Sequence, residues 1–130
     1  MFPPWAQDWI DALKPLDTVF LQGDVGVGKT TFAQYCIRRL VGRDLAVPSP
    51  TYPLMHTYTY GKGMITHMDL YRLDDFDACW SQGLLEPLGQ GLCLIEWPER
   101  LGHHVVPDWV ISIDQCGEGR QWSCQAGSLS

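Results

Sequence analysis

The sequence has 130 residues, of which 45% are hydrophobic and 18% are charged, and its formal net charge is −6. This balance excludes a disordered or low-complexity chain, and it argues against direct, phosphate-driven binding of nucleic acid, which needs a dense lysine and arginine face. The length is that of one domain, so we expect residues 1–130 to form a single domain around one ordinary core.

The first third of the chain is predicted to run from helix to strand to helix. Apolar residues recur every four positions in residues 5–14, which predicts a helix that Pro15 ends. Residues 18–21 predict a short buried strand, and residues 30–41 predict the most regular amphipathic helix of the chain. A glycine-rich loop, residues 23–28, therefore joins a strand to a helix.

Two extended segments follow in the middle of the chain. Residues 49–58 and 64–70 predict strands, and the intervening residues 60–63 have turn chemistry. Pro53 cannot donate a hydrogen bond to a ladder. The first of the two segments is therefore expected to be an edge strand or to bend at this proline.

The remaining elements complete a mixed sheet. Asp74 is predicted to cap a short helix that ends near residue 82, and residues 91–97 predict a buried parallel strand that closes on an acid. Residues 109–114 and 121–125 alternate in polarity, which predicts a C-terminal β-hairpin. The order of elements predicts an α/β fold with a mixed sheet flanked by helices. The six tryptophans are expected mainly in its core.

The loop of residues 23–30 matches the phosphate-binding (Walker A) pattern G-x-x-x-x-G-K-[ST] at every fixed position. Glycines let backbone N–H groups approach phosphates, and a helix N-terminus adds partial positive charge. Lys29 is then predicted to reach the β- and γ-phosphates, and the Thr30 hydroxyl to ligate Mg²⁺. The other interpretation is a glycine-rich turn with an exposed lysine, which the strand, loop and helix order argues against.

Two carboxylates could complete such a site. Glu96 follows four apolar residues, and Asp69 ends a similar but less apolar segment. A phosphate-binding loop needs an acid at the end of a neighbouring strand to hold Mg²⁺ or its water. His67 shares a strand face with Asp69, and a packed, neutral core histidine is favoured over a catalytic one. Trp97 must lie near the nucleotide if Glu96 does.

The cysteines and the chain's apolar runs indicate the compartment. Five cysteines occur without any C-x-x-C spacing, so we expect reduced thiols. No apolar run approaches the roughly 20 residues of a membrane-spanning helix, and no secretory signal is visible. These features predict a cytoplasmic protein without a membrane partner.

Four blocks make the sequence recognisable: residues 23–31 (G-D-x-G-x-G-K-T-T), 49–52 (S-P-T-Y), 67–73 (H-x-D-L-Y-R-L) and 95–99 (I-E-W-P-E). In this order the chain resembles the TsaE (YjeE) family of small bacterial ATPases, over about residues 5–125. The phosphate-binding loop is common to many NTPases, whereas the last two blocks together are specific. The resemblance implies a single P-loop NTPase-like domain.

The resemblance also implies a function in tRNA modification. The family provides an ATPase needed to make N6-threonylcarbamoyladenosine at position 37 of tRNAs that read codons beginning with A. In that system a partner, TsaD, transfers the threonylcarbamoyl group, TsaB is its scaffold, and ATP hydrolysis by TsaE resets the complex between turnovers. TsaD- and TsaB-like proteins are then the expected partners, with tRNA contacted only indirectly, which agrees with the acidic composition.

The resemblance assigns roles to individual residues. Asp69 is expected near the γ-phosphate, where it orients the attacking water or a metal-bound water, and Arg120, in the hairpin turn, is expected near the nucleotide. Residues 49–51 resemble a mobile loop that senses the nucleotide state. Lys29, Asp69 and Glu96 are the implied catalytic residues, and Thr30 and Glu96 the implied Mg²⁺ ligands. The implied phosphate-binding residues are Gly26, Val27, Gly28, Lys29, Thr30 and Thr31.

Two features depart from the family pattern. Family members commonly have an extra strand before the first helix that helps enclose adenine, and this sequence begins almost at the predicted helix. We therefore expect an adenine pocket that is built differently or is more open. Pro53 stands where a residue able to donate to a ladder is usual, so the loop after Thr51 is expected to be stiffer.

Three other functions would require motifs or partners that can be compared with this sequence. A small P-loop kinase would close an arginine-bearing lid over the phosphates, and no arginine or lysine lies between Arg72 and Arg100. A GTPase would read guanine through N-K-x-D, and the sequence contains no asparagine, so adenine nucleotides are expected. A nucleotide-binding regulatory subunit with little hydrolysis of its own overlaps the favoured interpretation and stays open.

Overall fold

Six strands and three α-helices occur in the residues that the computed structural model describes, 2–50 and 54–127. In chain order the elements are α1 (Ala6–Asp11), β1 (Thr18–Gln22), α2 (Lys29–Val41), β2 (Met55–Tyr60), β3 (Gly63–Asp69), α3 (Phe76–Ser81), β4 (Leu92–Glu96), a 3₁₀ turn (Pro98–Leu101), β5 (Trp109–Cys116) and β6 (Gly119–Ala126). Among the described helices, none has the length and apolar character to cross a membrane.

The strands form one sheet in the order β2-β3-β4-β1-β5-β6. Its four central strands, β3, β4, β1 and β5, are parallel, whereas β2 and β6 are antiparallel edge strands. The C-terminal ends of the parallel strands therefore meet along one side of the sheet, here called the carboxyl edge, where α/β proteins bind their ligands. This arrangement confirms the predicted α/β fold with a mixed sheet and a C-terminal hairpin.

Strand β4 shows how helices come to cover both faces of the sheet. Successive side chains of a strand point to opposite faces. Leu92 and Leu94 join the core under α1 and α2, whereas Cys93 and Ile95 join a second core under α3 and the 3₁₀ turn. All residues of this strand are buried, as its continuous apolar run predicted. All five cysteines are free thiols, as expected.

An aromatic cluster ties the N-terminus and the C-terminal hairpin to α2. Phe32 of α2 is fully buried, and its ring centroid lies 5.2 Å from that of Trp122 and 5.9 Å from that of Trp9. Phe2 stacks on Tyr35 at 4.4 Å. Such contacts add to the free energy of burial, so they hold α1, α2 and β6 in one relative position.

Two helix boundaries differ from prediction. Helix α1 ends at Asp11 because the chain tightens, with Leu13 N–H bonding to the Ile10 carbonyl at 3.2 Å. The prediction of Asp74 as a cap is wrong by one position, since the Asp75 carboxylate accepts from Ala78 N–H at 3.0 Å, as an N-cap does from the third helical residue.

Trp80 is 69% exposed and is the exception to the expectation that the tryptophans lie mainly in the core. Helix α3 has only six residues, and Cys79 is its one buried residue. A helix this short buries a single narrow stripe. The other tryptophans are at least partly buried.

The first of the two extended segments starts later than predicted. Strand β2 begins at Met55, and Ser49 and Pro50 have no regular secondary structure. Strand β2 is an edge strand, as expected. Pro53, on which that expectation rested, lies outside the described residues, as does Thr51 of the S-P-T-Y block.

We expect Phe32→Ala to lower the free energy of unfolding by about 3–5 kcal/mol, because it removes a fully buried ring from the aromatic cluster. Urea unfolding followed by circular dichroism measures this change. Trp80→Ala is the matched control, and its exposed ring should cost no more than about 0.5 kcal/mol. Equal losses in the two variants would contradict the described packing.

Candidate nucleotide-binding site

The loop between β1 and α2 requires glycine at two positions. Gly28, the N-cap of α2, has φ 119°, a conformation that other residues rarely adopt. A Cβ atom at Gly23 would lie 2.5 Å from the carbonyl oxygen of Ile113 on β5. The loop is thus pressed against the sheet, and α2 begins at the carboxyl edge with its first backbone N–H groups free of intrahelical partners.

Sheet register brings both strand-end acids to this loop. Asp69 and Glu96 end β3 and β4 and are direct ladder partners, and Glu96 also pairs with Leu21 of β1. Because β1 leads into the loop, both carboxylates line one cleft of about 270 Å³ together with Lys29 and Thr30. Glu96 is only 2% exposed, so it lies deeper than the half-buried Asp69, as its more apolar strand predicted.

A chain of hydrogen bonds crosses the floor of the cleft. The Thr30 hydroxyl donates to Glu96 Oε1 at 2.7 Å, and the other carboxylate oxygen lies 2.6 Å from His67 Nε2. His67 is fully buried, as expected of a packed histidine, and its contact with Glu96 was not foreseen. These three side chains connect α2, β4 and β3.

Lys29 lies under the ring of Trp97 rather than in solvent. Its ammonium group donates to the Gly23 carbonyl and, at 3.3 Å, to that of Asp24, and it lies 3.8 Å from the Trp97 ring centroid. Burial lowers the pKa of Lys29, and nearby carboxylates, Glu96 foremost, oppose this shift. Hydrogen bonds and the aromatic face compensate in part for the lost hydration.

Trp97 has an unusual backbone conformation. Among the described residues it is the only non-glycine with positive φ, at 59°. This left-handed geometry costs roughly 1–2 kcal/mol. It turns the ring toward Lys29, while Tyr71 packs at 4.9 Å and the Arg100 guanidinium at 5.6 Å. An observed backbone outlier of this kind is a pointer to function.

A second cavity, of about 220 Å³, adjoins the phosphate-binding loop. It shares Gly28 and Thr31 with the cleft, and aromatic side chains form part of its wall. Arg120, the second residue of β6 rather than part of the turn, donates from its guanidinium to the Val27 carbonyl and so ties the hairpin to the loop. The residues around this cavity are Phe2, Val27, Gly28, Thr31, Arg120 and Trp122.

The family model described as "Threonylcarbamoyl adenosine biosynthesis protein TsaE" matches residues 3–122. The chain belongs to the TsaE family. The tRNA threonylcarbamoyladenosine biosynthesis protein TsaE of Rickettsia felis is 41% identical over 111 residues, which cover 85% of this chain and 65% of that protein. The protein of the same name from Rickettsia conorii is 41% identical over 96 residues, which cover 74% and 55%. The chain thus spans less than two thirds of the length of either relative.

A solved structure supports the fold assignment. The crystal structure of Bacillus subtilis YdiB superimposes with a TM-score of 0.69, covering 96% of this chain and 76% of that one. The two sequences are 24% identical, so this likeness concerns the fold alone. The family match and the shared fold confirm the resemblance that the sequence blocks indicated.

The structure brings most of the predicted site residues of this TsaE-family chain into the cleft. Val27 and Arg120 border the second cavity instead. Thr51 lies outside the described residues, so a nucleotide-sensing loop at residues 49–51 stays a prediction. The predicted residues that line the cleft are Gly26, Gly28, Lys29, Thr30, Thr31, Asp69 and Glu96.

Some residues around the two cavities were not predicted from the sequence. Tyr71 lines the cleft, and its place in the H-x-D-L-Y-R-L block is the signal that could have identified it. Phe2 and Trp122 meet at the second cavity from opposite ends of the chain. No local pattern could have joined them.

The floor of the cleft fits a magnesium ion. Mg²⁺ prefers oxygen ligands and takes only one or two from the protein, the others being water and phosphate. The Thr30 hydroxyl and the Glu96 carboxylate are such ligands, and they lie within hydrogen-bond distance of each other. No group of three acidic, histidine or cysteine residues suited to a metal occurs in the described part of the chain.

We expect Asp69→Asn to raise the free energy of unfolding more at pH 7 than at pH 4. Burial raises the pKa of Asp69 above its ordinary 3.8, and the Tyr71 N–H that it accepts only partly opposes this. An acid whose folded pKa is raised destabilises the protein increasingly as pH rises through that pKa, because the unfolded chain ionises more readily. Urea unfolding at both pH values measures the effect.

The control for this experiment is Asp74→Asn, which removes the same charge from an exposed position. If the stability gain of Asp69→Asn is independent of pH, or is larger at pH 4, the carboxylate does not experience the burial described.

Proposed function

We propose that this protein binds and hydrolyses ATP in the biosynthesis of N6-threonylcarbamoyladenosine at position 37 of tRNA. One observation carries the ATP part of the proposal: Lys29 and Thr30 open a helix in the same cleft as two strand-end acids, Asp69 and Glu96. This is the arrangement of phosphate-binding loop and neighbouring acid that phosphoryl transfer requires. Membership of the TsaE family and the names of the relatives support the pathway.

The charges of the cleft explain a need for a divalent cation. Four carboxylates, those of Asp24, Asp69, Glu96 and Glu99, lie near enough to Lys29 to affect its pKa, so one buried cation faces several acids. A bare triphosphate would be repelled by this surrounding. Thr30 and Glu96 would hold Mg²⁺, which when bound neutralises phosphate charge and lets Lys29 and the α2 N-terminus bind the β- and γ-phosphates.

The second cavity is suited to the base. It adjoins the loop on the side of Gly28 and Thr31, and the Phe2 and Trp122 rings and the Arg120 guanidinium border it. Flat aromatic and guanidinium groups bind a base by stacking, without reading its edge closely. Phosphates and metal are then expected to contribute most of the affinity. The preference for adenine follows from the absence of a guanine-reading motif.

The two acids have different hydrogen-bond environments, which supports different roles. Both carboxylate oxygens of Glu96 are engaged, one by Thr30 and one by His67, so Glu96 is suited to the metal side. Asp69 is half-buried and is held by the Tyr71 backbone N–H at 3.0 Å. It is suited to orient the water whose oxygen attacks the γ-phosphorus as the bond to the bridging oxygen breaks and ADP leaves.

We assign the transfer of the threonylcarbamoyl group to partner proteins similar to TsaD and TsaB, with hydrolysis here resetting their complex. A net charge of −6 supports only indirect contact with tRNA. Hydrolysis by the isolated chain is expected to be slow. A regulatory subunit that binds ATP without hydrolysing it would differ in one measurement, since its partners would not stimulate phosphate release.

We expect Lys29→Ala to lower ATP hydrolysis about 100- to 1,000-fold in the presence of TsaD- and TsaB-like proteins, because a positioned electrostatic donor is lost. Phosphate release at saturating MgATP measures this. The control is Lys62→Ala, which removes an exposed lysine in the β2–β3 turn. Hydrolysis by Lys29→Ala at the wild-type rate would show that the loop does not hold the reacting phosphates.

Substitutions of the two acids should have different effects on nucleotide binding and on turnover. Glu96→Gln should weaken binding of MgATP more than of metal-free ATP, because it removes the charge beside Thr30. Asp69→Asn should leave MgATP binding nearly intact and lower turnover. Calorimetry and phosphate release measure the two effects. The opposite pattern would exchange the roles, and small equal effects would place neither acid at the nucleotide.

A further inference from the structure

His67 is a fully buried histidine with one polar atom unpaired. Its side chain lies in the central sheet, and Nδ1 has no hydrogen-bond partner among the described residues. Leaving a buried polar atom unpaired costs stability, and an apolar side chain would avoid that cost. The only described partner of this ring is the carboxylate of Glu96, 2.6 Å from Nε2. Any benefit of the histidine must therefore act through Glu96.

The chemistry of a carboxylate assigns the direction of this hydrogen bond. An ionised carboxylate only accepts, so the proton is assigned to Nε2 of the ring, which donates to Oε2 of Glu96. The terminal torsion of a glutamate is otherwise broad. Two donors on different elements, Thr30 of α2 and His67 of β3, hold the two oxygens and so fix the plane of the carboxylate.

We propose that His67 is a positioning residue for the metal site: its Nε2–H orients the Glu96 carboxylate so that Oε1 faces Thr30, the pair that would hold Mg²⁺. The inference rests on the proposed MgATP site. Groups that hydrogen-bond to a metal ligand and orient it raise the affinity for the metal, and their loss typically lowers that affinity about 10- to 100-fold. His67 would act on the metal only through Glu96. Its effect is therefore expected in Mg²⁺-dependent binding and not in binding of the metal-free nucleotide.

Two amide variants separate positioning from packing. His67→Gln carries its amide nitrogen as many bonds from the backbone as Nε2, so it can donate to Glu96. His67→Asn carries the same group only as far as Nδ1 and cannot reach. The control is His56→Asn, because His56 is the cross-strand partner of His67 and no hydrogen bond joins it to Glu96 in the part of the chain described.

The measurement is calorimetric binding of a non-hydrolysable ATP analogue, with Mg²⁺ and with a chelator, after thermal unfolding has shown that each variant is folded. Mg²⁺ should raise the affinity for the analogue by a similar factor in wild type, His67→Gln and His56→Asn. In His67→Asn that factor should be about 10- to 100-fold smaller. Its metal-free affinity should stay within about twofold of wild type, as expected of a group that acts only through a metal ligand.

The proposal would be overturned if His67→Gln and His67→Asn had the same Mg²⁺-dependent increase in affinity, whether that increase is like that of wild type or is lost. The ability of the side chain to donate to Glu96 would then not matter. If His67→Asn does not fold, His67→Met replaces it: it matches glutamine in length and cannot donate, so the same comparison applies. Wild-type protein that binds the analogue without any gain from Mg²⁺ would overturn this inference alone. Wild-type protein that does not bind it would overturn the proposed function as well.

Discussion

The buried carboxylate of Glu96 is the constraint on which the site depends. A charged group at 2% exposure is tolerated only when it is hydrogen-bonded. Its partners come from two other elements, Thr30 at the start of α2 and His67 in β3, so β3, β4 and α2 must align to within hydrogen-bond distance. The parallel register that pairs Asp69 with Glu96 meets this requirement and brings the second acid to the same place.

The cleft is built at some expense to stability. One buried lysine, several carboxylates and a tryptophan in a left-handed conformation are gathered at the carboxyl edge. Burial lowers the pKa of Lys29 and raises that of Asp69, so each is disfavoured in its charged form. The apolar cores on both faces of the sheet offset such costs, because they bury every residue of β4 and most of β1. A cleft already arranged in this way needs little reorganisation to bind a charged ligand.

The phosphate-binding loop separates two environments of different character. Charged and polar groups surround Lys29 and Glu96, whereas aromatic rings and Arg120 border the cavity behind Gly28. The second cavity depends on the packing of Phe2 and Trp122 around Phe32, so the hydrophobic core of α2 also shapes a candidate base pocket.

Local patterns in the sequence were sufficient to predict the loop at Gly23–Thr30, helix α2, the strand that ends at Glu96 and the TsaE resemblance. Each of these features depends only on residues that are neighbours along the chain. Fine detail was lost where two equivalent residues compete, as Asp75 rather than Asp74 caps α3, and where a short helix leaves Trp80 exposed. Contacts of the site itself join residues that are 29 positions apart for His67 and Glu96, 66 for Thr30 and Glu96, and 93 for Val27 and Arg120. Only the tertiary structure decides such contacts, because strand order and register, which no local pattern encodes, determine which distant side chains come within hydrogen-bond distance.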